Sequence, residues 1–267
     1  MRKPLHQLAV VAWMLGCHTA CSPTRQLPQQ QDFESGLPSG WTTGSPAISV
    51  TNEQAYTGTR SLKISSHAGR GRHYLSYDLR RLPQPVDTLY GSAMVYLEGA
   101  AASGDFTLVQ AEGEPKPESG APAGVSVAYR GRIDGRYDHL MANYDTLGKS
   151  PWRTDCWKQP AFDPATAQPP APEYRLPKNK WACLRWHFDT RQNHLAFWLN
   201  DVPLAQIEVN QVGDGCLAQD QKGIWYGPAA FEWLHLGIEQ YHASAAARTL
   251  YVDDLAIDTH PTSCPQH

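Results

Sequence analysis

Helical periodicity is nearly absent from this chain. So are dense runs of positive charge and, beyond the N-terminus, any long apolar run. The first absence excludes a helical bundle. Gly and Pro, 21 each, punctuate short alternating runs instead, which is the pattern of an all-β fold. The second argues against nucleic acid as a partner: 23 Lys and Arg stand against 26 Asp and Glu, unclustered, for a net charge of -3. No phosphate loop, internal repeat or Ser-His-Asp order stands out. The cysteines lack the CxxC spacing of a zinc knuckle. What remains is a globular composition, 41% hydrophobic and 18% charged, with nine Trp and twelve Tyr. A length of 267 residues suits one β-sandwich.

Residues 1–20 read as an export signal. Arg2 and Lys3 precede a short apolar run, Leu8 to Gly16, too short for a mature membrane span. Cys17 and Cys21 follow at once, as in a bacterial lipoprotein signal. Met14-Leu15-Gly16-Cys17 is a tolerable lipobox, while lipidation at Cys21 would leave an even set of four cysteines. Cleavage after Ala20 without lipidation is the third reading. Residues 21–31, polar and rich in Pro and Gln, read as a tether. The expected location is the periplasm, the outer membrane or the medium, where disulfides persist. The only expected membrane contact is a lipid anchor, and the expected state is a monomer.

From residue 32 to 264 a single domain is expected. Strands are predicted over 47–50, 61–66, 73–82, 88–99, 105–114, 124–132, 136–145, 181–189 and twice within 194–209, turning at Asn200-Asp201. A proline-rich stretch, 146–180, reads as an irregular lid or rim. The stretch Phe231 to Asp258 carries most information. Leu234, Leu236 and Ile238 point one way, and Trp233, His235, Glu239 and Tyr241 the other. One face suits a core; the other, with rings, imidazole and carboxylate, suits sugar. The strand after it places Asp253 and Asp254 among apolar residues, which is costly unless they are paired or metal-bound.

The order FESG (33–36), AYTGTRSLKI (55–64), WACLRWHFD…LAFWLND and LGIEQY…LYVDD resembles a family of secreted carbohydrate-active jelly rolls. Its best-known members are the core domain of a fungal cellulose-induced protein and its bacterial relatives, similar in fold to the glucuronan lyases. The resemblance implies an antiparallel two-sheet β-jelly-roll sandwich of concanavalin or lyase type. It also implies a structural Ca2+ held by Glu34, Thr57, the Arg60 backbone and Asp253 or Asp254. It implies pairing of Cys183 with Cys264, and with it Cys156 with Cys216. The family's His, Arg and Gln on a central strand are not kept. In GVSVAYRGR, Ser126 holds the His place, Ala128 or Arg130 lies near the Arg place and Arg132 near the Gln place.

Three functions are weighed: β-elimination on an acidic polysaccharide, polysaccharide binding without cleavage, and glycoside hydrolysis. Elimination needs a cation or donor for the uronate carboxylate, and a base and an acid. Arg130 and Arg132 are candidate neutralisers, with Gln110 and Asn143 as neutral donors. His139 and Tyr241 are candidate acid or base. His73, Tyr90, Gln110, Trp233, His235 and Glu239 are candidate substrate-binding residues. Hydrolysis is disfavoured because no single strand carries a pair of carboxylates on one face.

Overall fold

The computed structural model describes residues 29–99, 104–148, 154–161, 168–216 and 223–265. The signal sequence, Cys17, Cys21 and most of the tether lie outside them. The described chain is all-β. Its strands are β1 Gln29–Gln31, β2 Trp41–Thr43, β3 Ile48–Thr51, β4 Ser61–Ser66, β5 Gly71–Asp78, β6 Thr88–Glu98, β7 Phe106–Gly113, β8 Val125–Ile133 and β9 Leu140–Gly148. They continue with β10 Asp155–Lys158, β11 Trp181–Asp189, β12 His194–Leu199, β13 Val202–Pro203, β14 Val209–Asn210, β15 Gly215–Cys216, β16 Trp233–Gln240 and β17 Arg248–Asp258.

These make two antiparallel sheets. One runs β13-β12-β11-β6-β17-β4-β3, with β1 on β17 and β14 on β12; the other runs β15-β10-β9-β8-β7-β16-β5-β2. Sheets facing each other bury alternate residues of every strand, and the core is built that way. Leu89, Ala93, Val95 and Leu97 of β6 face Val127 and Tyr129 of β8, Leu234 and Leu236 of β16, and their neighbours, all at most 1% exposed. Gly91 breaks the apolar series for a reason of space: a Cβ there would lie 2.0 Å from the buried Trp186 ring.

The boundaries differ from the sequence expectation in several places, and the second strand expected within 194–209 is two short pieces, β13 and β14, around a 3-10 turn at Ala205–Ile207. Residues 29–31 are not tether: they pair with Ile257–Leu255 of β17. Residues 79–81 leave the sheet as a 3-10 turn capped by the Asp78 side chain. Strand β9 begins at Leu140 rather than 136, because Asp134 accepts the amides of Arg136 and Tyr137 and closes a turn ahead of it. The 146–180 stretch is not wholly irregular, since β9 runs to Gly148 and β10 lies within it. Both expected disulfides are present: Cys156–Cys216 joins β10 to the edge strand β15, and Cys183–Cys264 fastens the C-terminal tail to β11.

Candidate active site

The outward face of the eight-stranded sheet gathers charge. Strand register sets three rows across it. One is Asn143, Arg130, Gln110, His235 and Ser76; the next is Met141, Arg132, Thr107, Glu239 and Arg72. The third is Asp155, Asp145, Ala128, Glu112, Trp233 and Asp78. Bulges in β7 and β16 bring Thr107 and Glu239 into line with Arg132. Without them the alternation would carry one member of that row to the core.

Arg130 is the centre, 3% exposed. Its Nε donates to Gln110 Oε1 at 2.6 Å, Nη1 to Asp145 Oδ2 at 2.6 Å and Nη2 to Glu239 Oε2 at 3.3 Å. Glu239 also takes Arg72 and, at 3.0 Å, the Tyr74 hydroxyl. Arg132 pairs with Asp105 and lies 3.7 Å from Asp155. The Tyr241 ring lies 5.0 Å from the Arg132 guanidinium and 5.8 Å from that of Arg130. Its hydroxyl is buried, with no hydrogen-bond partner among the described residues. Burial pushes the Tyr241 phenol well above its ordinary range, against the pull of Arg130. Burial likewise raises Asp145 to about 6, with Arg130 opposing and Asp155 and Glu239 adding to the rise.

Further along β16, Trp233 and His235 form an aromatic strip. Their rings are nearly parallel at 6.2 Å, with Arg80 over the indole at 4.9 Å. His235 is oriented by Ser76 at 2.7 Å and approached by Glu112 at 3.6 Å. Along β16 the side chains thus pass from an aromatic end at Trp233 to a charged end near Tyr241. Flat rings beside polar groups are the usual lining of a sugar site, since apolar bodies and polar rims match a pyranose.

The structure therefore brings together Arg130, Arg132, Tyr241, Gln110, Trp233, His235 and Glu239. Gln110 and Asn143 do not face a ligand as free donors. Gln110 donates to Glu112 at 2.5 Å, and Asn143 to Asp155 and to the Cys156 carbonyl, both at 2.7 Å. Three other expected residues fall elsewhere. His139 is 1% exposed beneath the 134–138 turn, its Nδ1 3.7 Å from Asp134. His73 shares the inward parity of Leu75 and Tyr77 on β5 and meets Ser45 at 2.8 Å. Tyr90 stacks at 4.0 Å on His187, on the other sheet's outer face. Asp145, Asp155, Asp105, Tyr74 and Arg72 were missed. Parity alone would have found Asp145, two residues from Asn143 on the same face.

The expected calcium residues do converge, but on backbone donors. Glu34 Oε1 accepts the amides of Thr59 at 2.8 Å and Arg60 at 2.7 Å, and Oε2 the Thr59 hydroxyl at 2.9 Å. Asp253 accepts the amides of Tyr56, Thr57 and Asp254, while Thr57 Oγ1 donates to Asp254 Oδ1. These donors hold Glu34 below the usual carboxylate range, the Thr59 amide foremost. Calcium takes six to eight oxygens. Here amides and a hydroxyl already meet both carboxylate oxygens of Glu34 and of Asp253, so the ion would have to displace them, and Asp254 Oδ2 alone has no donor among the described residues. Among the described residues no group of three or more His, Cys, Asp or Glu is placed to hold a metal.

No family model and no curated protein matches this chain. Solved structures do. Cellulose induced protein, Cip1, superposes with a TM-score of 0.60 over 89% of this chain and all of its own, at 21% identity. The PL-14 alginate lyase from Aplysia kurodai gives 0.47 over 80% of this chain and 87% of its own, at 12% identity. An alginate lyase in complex with dimannuronate, AlyC3, gives 0.45 over 80% and 78%, at 11% identity. At 21% identity, the likeness to Cip1 is one of fold: the chain shares its two-sheet antiparallel sandwich.

Proposed function

We propose that this chain is an exported carbohydrate-active protein that cleaves an acidic polysaccharide by β-elimination on the outward face of its eight-stranded sheet. The observation that carries this is Tyr241, whose buried hydroxyl has no partner among the described residues and whose ring lies beside two guanidiniums, on the same face as the Trp233–His235 strip. Arg132 binds the uronate carboxylate and stabilises the enolate-like charge. The Tyr241 phenolate takes the proton next to the carboxyl group. The resulting phenol gives a proton to the departing 4-linked oxygen, and a carbon–carbon double bond remains in the product. Arg130, clamped by Asp145, Glu239 and Gln110, holds the site's geometry and favours the phenolate.

The test is ultraviolet absorbance of unsaturated product on a panel of polyuronates with the full chain and Arg132→Ala. Absorbance that grows with the wild type and falls at least a hundredfold in the variant is expected. Glycan binding with no product of any kind would leave a binding protein anchored by lipid at Cys21 or Cys17.

One observation favours glycoside hydrolysis as the second reading. The cluster holds more carboxylates (Asp105, Asp145, Asp155, Glu112, Glu239) than guanidiniums (Arg72, Arg130, Arg132). Asp145, raised to about 6, shares Arg130 with Glu239. A carboxyl group held protonated close to neutral pH can serve as a general acid. New reducing ends without unsaturated product, lost in Asp145→Asn, would establish that chemistry instead.

The same reading leaves the 56–60 loop capped by Glu34 and Asp253 without calcium. The melting temperature is expected to be equal in chelator and in excess calcium. A rise of about 3 °C or more with calcium would mean that these carboxylates turn from the amides to an ion.

A further inference from the structure

A cleft lies on the other side of the molecule. It is about 720 Å³ in volume and open to solvent, on the outer face of the nine-stranded sheet. Its walls are β1, the bulged part of β17, and the C-terminal tail at Ser263–Pro265. Each wall is fixed by the fold: β1 by its pairing with β17, the tail by the Cys183–Cys264 disulfide, and the bulge by Asp254, whose φ of 43° turns it out of strand alternation. The cleft is preformed.

Two polar groups in its lining lack partners. Ser92 is 0% exposed and its Oγ makes no hydrogen bond among the described residues. Asp254 Oδ2 is likewise buried and unpaired, while Oδ1 accepts the Thr57 hydroxyl. Leaving a buried hydroxyl and a carboxylate oxygen unsatisfied is costly, so both are poised for a ligand. The charge of the lining selects that ligand. Asp32 and Asp254 line the cleft, and its described lining includes no Lys or Arg. An anion is repelled there, and a donor-rich neutral or cationic group is drawn in. The volume is that of an organic ligand site rather than of a bare ion.

We infer that this cleft binds a saccharide unit that carries no acid group, with sugar hydroxyl or ammonium donors on Asp254 Oδ2 and Ser92 Oγ. The protein then holds a glycan on one face while the opposite sheet acts on another chain or another stretch of the same one. The inference is independent of the eliminating chemistry, because it rests on a different face and different residues.

Calorimetric titration of the full chain with cello-oligosaccharide, chitosan oligosaccharide and oligouronate tests it. Saturable binding of an uncharged or amino oligosaccharide is expected. It should weaken about tenfold in Asp254→Asn, a change of about 1.4 kcal/mol. It should also be lost in Ala256→Phe, which fills the cleft without touching the Thr57 contact. Arg132→Ala should leave it unchanged. Any of three results overturns the proposal: no saturable binding of any of these glycans, binding indifferent to both cleft variants, or calcium alone titrating Asp254 while no saccharide binds. Loss of product formation in Arg132→Ala with cleft binding intact would separate the two sites.

Discussion

Replacing Arg130 by Met is expected to destabilise the protein by about 3 kcal/mol, which lowers the melting temperature of a domain this size by roughly 6–12 °C. The guanidinium is 3% exposed and has three acceptors on three neighbouring strands: Gln110, Asp145 and Glu239. Removing it leaves Glu239 with Arg72 and Tyr74, but Asp145 with only the Thr146 amide. The penalty is therefore mostly that of an uncompensated carboxylate, larger than the net worth of the pair itself. It depends on pH in a definite sense. Asp145 already sits near 6 with the guanidinium beside it and moves higher without it. A carboxyl raised in the fold contributes stability below its unfolded value, about 4, and loses it as pH rises through the folded value. The variant's deficit should accordingly be small near pH 4 and grow as pH passes 6, as read by thermal unfolding at several pH values. Adding Asp145→Asn should restore some of the loss at neutral pH. A loss under about 1 kcal/mol, flat with pH, would show that Arg130 does not organise this face.

Strand parity carried most of what was legible beforehand. In β16 it set Leu234, Leu236 and Ile238 against Trp233, His235 and Glu239, and the first three are 0% exposed in the core while the others lie on the sheet's opposite face. Parity says nothing about which strand lies beside which. Glu112, Asp145 and Asp155 come from three strands and meet because β7, β8, β9 and β10 are neighbours. That is why no paired carboxylates are visible along any one strand. Nor does parity name a sheet. Tyr90 does face away from the core, but on the other sheet. His73 is misplaced for a different reason: HYLSYD has rings of both parities, Tyr77 being core and Tyr74 outward, so the pattern alone does not say which face is which. The residues expected to hold calcium do lie around one loop. What the sequence could not convey is that this loop turns its amides, rather than its carbonyls, toward Glu34 and Asp253.

Tyr241→Phe is expected to lower kcat on the responsive polyuronate by about 10²–10⁴-fold with KM little changed, since a positioned proton-transfer group contributes that much to rate and little to binding. The ring would still pack over Arg130 and Arg132, so the melting temperature should hold. The pH profile identifies the role more sharply than the loss does. Burial keeps the phenol above its ordinary range in the free protein, so at neutral pH only a small fraction is phenolate. As long as pH stays below that value, each unit of increase raises the fraction about tenfold, and kcat/KM of the wild type should climb with it on the alkaline side. Filling the Arg132 site with a substrate carboxylate opposes ionisation, while Arg130, held in place by its three partners, continues to favour it. A residual activity in Tyr241→Phe that is flat over the same range would fit a phenolate as the base. If the variant instead keeps activity within about threefold and the same alkaline rise, the proton is moved elsewhere on the face. His235, oriented by Ser76 and Glu112, then becomes the residue to replace.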